Sequence, residues 1–346
     1  MRVHDIYISA IGTYLPETVV DAAQAVRDGQ YDQDEFVANE LTGVHSETEL
    51  ATVEMAVRAA RRAIDDFDVR VADLSMIIYT ATSKPGPDGW GPAAYVLRSI
   101  GADESTLAIE VRHQCSGMFS ALQVAVGHLR AAPEHQSVLI VNAENWNSPD
   151  FNRWDYAPGL PLGDAAVAMV LTKEPGFARL CSVDSLMVAE LEELHRAGAS
   201  LRPMDGEDNP GTLREASAHF IATSPVVAKM HSLVDGANER LNARTVANSG
   251  VELSKMAWVG TINGSAGLVK GRLLPLLGIP PERSAYDIGR SIGHAGAADQ
   301  TLAFARLLAD GKFSPGDHYL MSGFGPGLTN TTAVIEVIDP PAVLQD

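Results

Sequence analysis

At 346 residues, with 46% hydrophobic and 20% charged residues, the chain is long enough for two domains or one large duplicated unit and can bury a sizeable core, which excludes disorder of the whole. Asp and Glu number 44 against 26 Lys and Arg, a formal net charge of −18, so the average surface repels nucleic-acid phosphates and anionic membrane, and an acidic partner must dock on a local basic patch. No stretch approaches eighteen apolar residues, and Asp5 falls where a signal peptide would carry its apolar run, so the expectation is a cytoplasmic protein with neither membrane nor nucleic acid as partner.

Gly and Pro punctuate the chain, and between them short β-branched runs alternate with longer Ala/Leu-rich amphipathic stretches, the rhythm of an α/β protein. In chain order the first half predicts a helix over Glu49–Phe67, a strand over Asp73–Thr80, a helix over Gly91–Ile100, a strand over Leu107–Val111, a helix over Gly117–Ala132, and strands over Ser137–Asn142 and Ala165–Thr172. The second half predicts a strand over Lys255–Thr261, a helix over Ala266–Leu277, a strand over Ala285–Ile288, a helix over Gly296–Ala309, and strands over His318–Ser322 and Thr331–Ile338.

The two halves run in the same order at a near-constant spacing. Leu74 falls opposite Leu253 (253 − 74 = 179) and Val138 opposite His318 (318 − 138 = 180), which argues an internal duplication whose sheets pack around shared buried helices. The expected division is a first half, 1–180, a variable region, 181–253, and the rest of the second half, 254–346. The variable region has no evident counterpart in the first half. It carries the polar stretch RPMDGEDNPGT, 202–212, and is expected to be an inserted loop-plus-helix region that shapes a substrate mouth.

Two cysteines, Cys115 and Cys181, are too few for a disulfide framework or a thiolate metal cage, and no His/Cys/Asp spacing suggests a metal. Cys115 stands where a strand runs into a small-residue turn and a helix, a place where free backbone N–H groups stabilise a thiolate; plain packing is the alternative. Cys181 lies in a strand-like run with no such turn and reads as packing. His294 occupies a second strand-to-helix turn, at 294 − 115 = 179, the same spacing, which sets it at the equivalent corner of the other half, where a Cys/His pair activates a thiol for acyl transfer. Asp299 lies early in the helix that His294 introduces. It is placed to fix the imidazole tautomer, or is only a first-turn acid. Ser322–Asn330, SGFGPGLTN, carries G-x-G-x-G between two strands rather than before a helix, which excludes a dinucleotide fingerprint and leaves an oxyanion turn or a simple hairpin. Asp164, before a strand, reads as a turn cap.

With these residues in place, the chain resembles the thiolase superfamily, in its ketoacyl synthase III-like branch. The resemblance rests on Tyr79–Ala102, on QCSGM around Cys115, on LGDAAVAMVL from Leu162, on IGHAGAADQ from Ile292 and on SGFGPGLTNT from Ser322. It implies a duplicated five-layer αβαβα fold, a homodimer, and acyl loading of the cysteine from coenzyme A or an acyl carrier protein, with no cofactor beyond that thioester donor. Three departures bear on function. The His of the branch's His-Gln-Ala-Asn motif falls on Ile262, in WVGTINGSAG. The Asn of its Gly-Asn-x-Ser motif is His294. Pro326, which has no N–H, stands in the oxyanion turn, so Gly325 or Gly327 must serve beside the Cys115 N–H.

Decarboxylative condensation needs two neutral donors for the enolate, whereas a single imidazole beside a Cys thioester suits removal of a proton from a hydroxyl or amine. The leading expectation is therefore an acyltransferase of polyketide-type biosynthesis, with Cys115 as nucleophile, His294 as base and Asp299 or Asn330 orienting the imidazole. The competing readings are a ketosynthase using His294 with Asn263, and a non-catalytic dimer partner. Carrier docking is assigned to Lys270 and Arg272, followed by Arg283 and Arg290.

Overall fold

The computed structural model describes residues 1–148, 151–196, 199 and 212–342, so the polar stretch 202–211 of the region 181–253 expected to shape the substrate mouth lies outside the described residues. The first half runs β1 (Tyr7–Tyr14), β2 (Val19–Asp21), α1 (Ala22–Arg27), α2 (Gln33–Asn39), β3 (Gly43–His45), α3 (Thr52–Asp66), β4 (Leu74–Thr80), α4 (Pro92–Ile100), β5 (Leu107–Glu110), α5 (Gly117–Ala131), β6 (Ser137–Glu144) and β7 (Ala165–Thr172). The second half runs β8 (Ala178–Met187), α6 (Leu213–Thr223), α7 (Val227–Ser249), β9 (Trp258–Gly260), α8 (Ala266–Leu268), α9 (Leu274–Leu277), α10 (Tyr286–Gly289), α11 (Asp299–Ala309), β10 (His318–Gly325) and β11 (Thr329–Val337).

Among the described residues nine strands join in the order β5-β4-β6-β7-β1-β8-β11-β10-β9, and β2 pairs with β3 separately. Read outward from the β1–β8 contact, β7 answers to β11, β6 to β10 and β4 to β9, which is the duplication expressed as pairing. The layers follow from which strand face is apolar. Met118, Phe119, Leu122 and Leu129 of α5 and Leu302, Phe304 and Leu308 of α11 fill a core between the two halves of the sheet. Each such side chain contributes about 1.5–3 kcal/mol by leaving water. Helices α3 and α4 cover the other face of the first-half strands through Met55, Val57 and Val96. Val269, Leu274 and Leu277 cover Val259, Leu320 and Val334 of the second half. The result is the expected duplicated αβαβα five-layer stack.

Three expectations are corrected. Ala285–Ile288 is not a strand: only an isolated bridge links Ser284 to Val259, and the chain then turns into α10, whose first N–H is accepted by the Ser284 hydroxyl (3.3 Å). The helix expected over Ala266–Leu277 widens into a π-turn at Val269–Leu273 before Pro275, whose ring clashes with the carbonyl one turn back. The interval 181–253 does have a first-half counterpart, because β8, which spans residue 180, mirrors β1, and α7 packs on β8 and β11 as α3 packs on β1 and β7. Thr245 of α7 shares a hydroxyl hydrogen bond with Thr332 of β11 (2.6 Å).

Candidate active site

Cys115 sits in a single 3-10 turn, Gln114–Ser116, between β5 and α5, and is half-buried. Gln114 adopts φ 41°, a left-handed conformation that non-glycine residues rarely hold, so the chain reverses sharply just before Cys115 and presents the thiol at the mouth of α5. The Ser116 N–H closes the turn onto His113 O (3.0 Å). His113 itself turns away, with Nδ1 at 2.6 Å from Ser120 Oγ, and burial draws its pKa down.

His294 is brought to the thiol by backbone contacts rather than by a helix. Its N–H donates to Pro161 O (2.8 Å) and its carbonyl accepts the Gly163 N–H (3.1 Å), so the segment before β7 clamps the His294 turn. Nε2 lies 3.1 Å from Cys115 Sγ, and Nδ1 lies 2.6 Å from Asp299 Oδ2. The imidazole is 5% exposed and Asp299 is fully buried. Burial alone would draw the His294 pKa down, yet the Asp299 carboxylate and Cys115 outweigh it and hold the imidazole well above its ordinary value.

The Asp299 carboxylate also accepts the Ala295 N–H on Oδ1 (2.8 Å) and the Asn263 N–H on Oδ2 (2.7 Å), so its orientation is fixed from three sides. Asn330, the alternative orienter, lies on β11 opposite Phe324 and makes no bond to His294. The Asn263 side chain donates to Gly293 O (2.9 Å) and packs against Gly289, so only its backbone enters the site, and the second donor required by the ketosynthase expectation is missing from that position. Ile262 is buried and apolar.

Gly325 ends β10 flush against the Cys115 turn: a Cβ there would fall 2.8 Å from Ser116 Oγ and 3.1 Å from Ser116 N. The Pro326-Gly327-Leu328 reversal follows, with φ 76° at Gly327 and 44° at Leu328. Gly325 therefore stands at the Cys115 turn, where a reacting carbonyl needs donors.

Sequence reasoning missed Glu144. This fully buried carboxylate at the end of β6 accepts the N–H groups of Thr82 (2.8 Å) and Ser83 (2.7 Å), and burial raises its pKa against those bonds. It abuts the His294 turn, since a Cβ on Gly296, at φ 57°, would fall 2.5 Å from Oε1. The signal was available, because an acid closing an otherwise apolar strand, SVLIVNAE, has to be bonded internally. Asp164 proves to be more than a cap. Completely buried, it accepts the Glu47 and Trp146 N–H groups (both 2.8 Å) and the Arg153 guanidinium (3.0 Å), anchoring the segment that clamps His294.

Of the docking cations, Lys270 is bonded to Glu40 (2.8 Å) and lies over the Tyr286 ring, and Arg283 donates to Ser254 O (2.9 Å). Arg272 is exposed, and Arg290 is half-buried beside Asp287 (4.0 Å). No helix among the described residues is long and apolar enough to cross a membrane.

Sequence profiles described as 3-oxoacyl-[acyl-carrier-protein (ACP)] synthase III and its C-terminal part match residues 109–185 and 246–337. A β-ketoacyl-[acyl-carrier-protein] synthase III from Bordetella petrii is 28% identical over 340 residues, covering 93% of this chain and 95% of that protein. The solved structure of the acyltransferase ChlB3 is 36% identical, with a TM-score of 0.91 over 99% of this chain and 100% of that one. The 3-oxoacyl-(acyl carrier protein) synthase III of Pseudomonas aeruginosa PAO1, at 20% identity and a TM-score of 0.75 over 97% of this chain and 99% of that one, shares the fold.

Proposed function

For a chain that belongs to the ketoacyl synthase III-like branch of the thiolase superfamily, we propose acyl transfer from a coenzyme A or acyl-carrier thioester, through Cys115, to an oxygen or nitrogen acceptor. The observation that carries this reading is the relay from Cys115 Sγ through His294 to Asp299, in which one imidazole touches the nucleophile and nothing supplies the second enolate donor at Ile262 or Asn263. The similar structure of ChlB3, an acyltransferase, supports it.

In the first half-reaction His294 Nε2 takes the Cys115 proton, and the thiolate attacks the donor carbonyl. The tetrahedral oxyanion forms beside the Cys115 turn and Gly325, and the departing donor thiol recovers the proton from His294. In the second, neutral His294 removes the proton of the acceptor hydroxyl or amine as it attacks the Cys115 thioester, then returns it to the Cys115 sulfur. Asp299 keeps Nδ1 protonated, so Nε2 is the nitrogen that accepts and returns each proton. The chemistry calls for no cofactor beyond the donor thioester. The cytoplasmic homodimer, the small-molecule acceptor and the setting in polyketide-type biosynthesis are parts of the same proposal.

Incubation with a panel of acyl-CoA and acyl-carrier donors, followed by mass spectrometry of the digested protein, tests loading, and the chased product tests the acceptor. The expected result is an adduct on Cys115, absent from Cys115→Ala, and an ester or amide product. An adduct on Cys181 sinks the nucleophile assignment. Release of carbon dioxide with a carbon-carbon product replaces the acyltransferase reading with condensation.

A further inference from the structure

On the face of the second-half sheet turned away from α5 and α11, three adjacent strands bring together side chains of mixed chemistry. Cys181 of β8, Glu336 of β11 and His318 of β10 hold their sulfur, oxygen and nitrogen atoms within 4.8 Å of one another. His318 and Glu336 are direct partners in the β10–β11 register. Cys181 joins them because the β8–β11 register shifts between Val334 and Ile335, a bulge that turns the cysteine onto the same face as Val334 and Leu320. Cys181 is buried, while His318 and Glu336 are half-exposed, so the cluster has a solvent opening.

We propose that Cys181, His318 and Glu336 form a zinc-binding site. A thiolate, an imidazole and a carboxylate are the donors this borderline-soft ion takes, whereas calcium and magnesium require oxygen shells. Tetrahedral zinc with bonds of about 2.0–2.3 Å sets its ligands about 3.4–3.7 Å apart, so rotamer adjustments of about 1 Å close the site without moving the ladder. Both bonds from Arg179 to Glu336, one of 2.9 Å from Nε, go to Oε2; they fix the carboxylate and leave Oε1 for the metal. Binding releases one proton, from the Cys181 thiol to solvent, and three protein ligands leave a fourth position for water. The site lies across the sheet from the core that contains α5, so it is distinct from the Cys115 corner.

The test uses the full chain, stripped of metal and titrated with zinc chloride against a chromophoric chelator, as wild type, Cys115→Ala, Cys181→Ser and His318→Ala, with circular dichroism confirming the fold. One equivalent is expected in wild type and Cys115→Ala, with affinity lowered at least about tenfold in the other two. Cobalt(II) should give a thiolate-to-metal charge-transfer band in Cys115→Ala that His318→Ala weakens and Cys181→Ser abolishes. His318→Ala alters a half-exposed residue and decides the matter if Cys181→Ser fails to fold. Affinity unchanged in His318→Ala, or zinc lost only with Cys115→Ala, overturns the proposal.

Discussion

Asp299→Asn probes the relay most directly, because it changes one atom and one charge at a fully buried position. The carboxylate accepts three N–H bonds, from Ala295 on Oδ1 and from Asn263 and His294 on Oδ2, and an amide can satisfy only one side. If the amide nitrogen faces His294, it donates to Nδ1, drives the proton to Nε2 and blocks removal of a proton from Cys115, and it also confronts the Asn263 N–H. If it faces Ala295, two donors confront each other, at a cost of about 1–3 kcal/mol in stability. In serine-protease triads the same exchange costs about 10⁴ in kcat. Here acyl transfer is expected to fall about 10³- to 10⁴-fold, or about 4–5.5 kcal/mol. The pH profile gives the second readout. With Asp299 neutralised, burial dominates and the His294 pKa drops from its raised position; deacylation, which needs neutral imidazole, therefore reaches its plateau at lower pH. The assay is rapid-quench mass spectrometry of protein loaded on Cys115 and chased with acceptor across a pH series. A variant that transfers within threefold of wild type, with an unmoved profile, refutes the relay.

Three further outcomes are expected. His294→Ala should lower acceptor turnover about 10²- to 10⁴-fold, the usual contribution of a positioned base, and slow loading as well; unimpaired steady-state turnover would remove His294 from the mechanism. Arg153→Met leaves the buried Asp164 carboxylate without its cation and should cost about 3–5 kcal/mol in denaturant unfolding, whereas a shift under about 0.5 kcal/mol would show that the Glu47 and Trp146 N–H groups suffice. Arg272→Glu, at the exposed cation of the docking group, should raise KM for a carrier-bound donor more than Lys270→Glu does, because Lys270 already faces Glu40; equal changes for carrier and coenzyme A donors argue against docking there.

What the sequence made legible was what periodicity and turn chemistry encode locally. The strands from Leu74, Leu107, Ser137, Ala165, His318 and Thr329 and the helices α3, α4, α5 and α11 all lie within a few residues of their expected bounds. β1 went unrecognised, and α7 was expected only as a helix without bounds inside the loop-plus-helix region 181–253, for different reasons. YISAIGTY places a glycine inside its strand, and α7 carries its buried residues, Val234, Ala237, Leu241 and Thr245, at wide intervals on a polar background. Glu144 left a local trace as the acid that closes an apolar strand, whereas the Cys181–His318–Glu336 cluster depends on which strands lie side by side, which no local pattern contains.

The Cys115–His294 pairing was reached by an argument that the structure corrects in its premise. The turns and central helices that flank the site are offset by 182 residues between the two halves: Val71 and Leu253 begin matching 3-10 turns (253 − 71 = 182), Gln114 and Gly296 begin the turns before the central helices (296 − 114 = 182), and Gly117 and Asp299 begin the helices themselves (299 − 117 = 182). The symmetry mate of Cys115 is therefore Ala297, three residues beyond His294. The spacing of 179 came from aligning the first residue of β4 with a turn that precedes β9 by several residues. His294 meets the thiol because it precedes its helix turn, in the stretch whose backbone Pro161 and Gly163 hold, while Cys115 lies within its own turn. The asymmetry has a chemical consequence. Ala297 faces the start of α5, where a Cβ on Gly117 would lie 3.6 Å from its own Cβ, whereas His294, three positions earlier, extends toward the sulfur and still places its second ring nitrogen on Asp299, the first residue of α11. The duplication supplies two opposed turns; the displacement of His294 within one of them brings its Nε2 to 3.1 Å from the Cys115 sulfur.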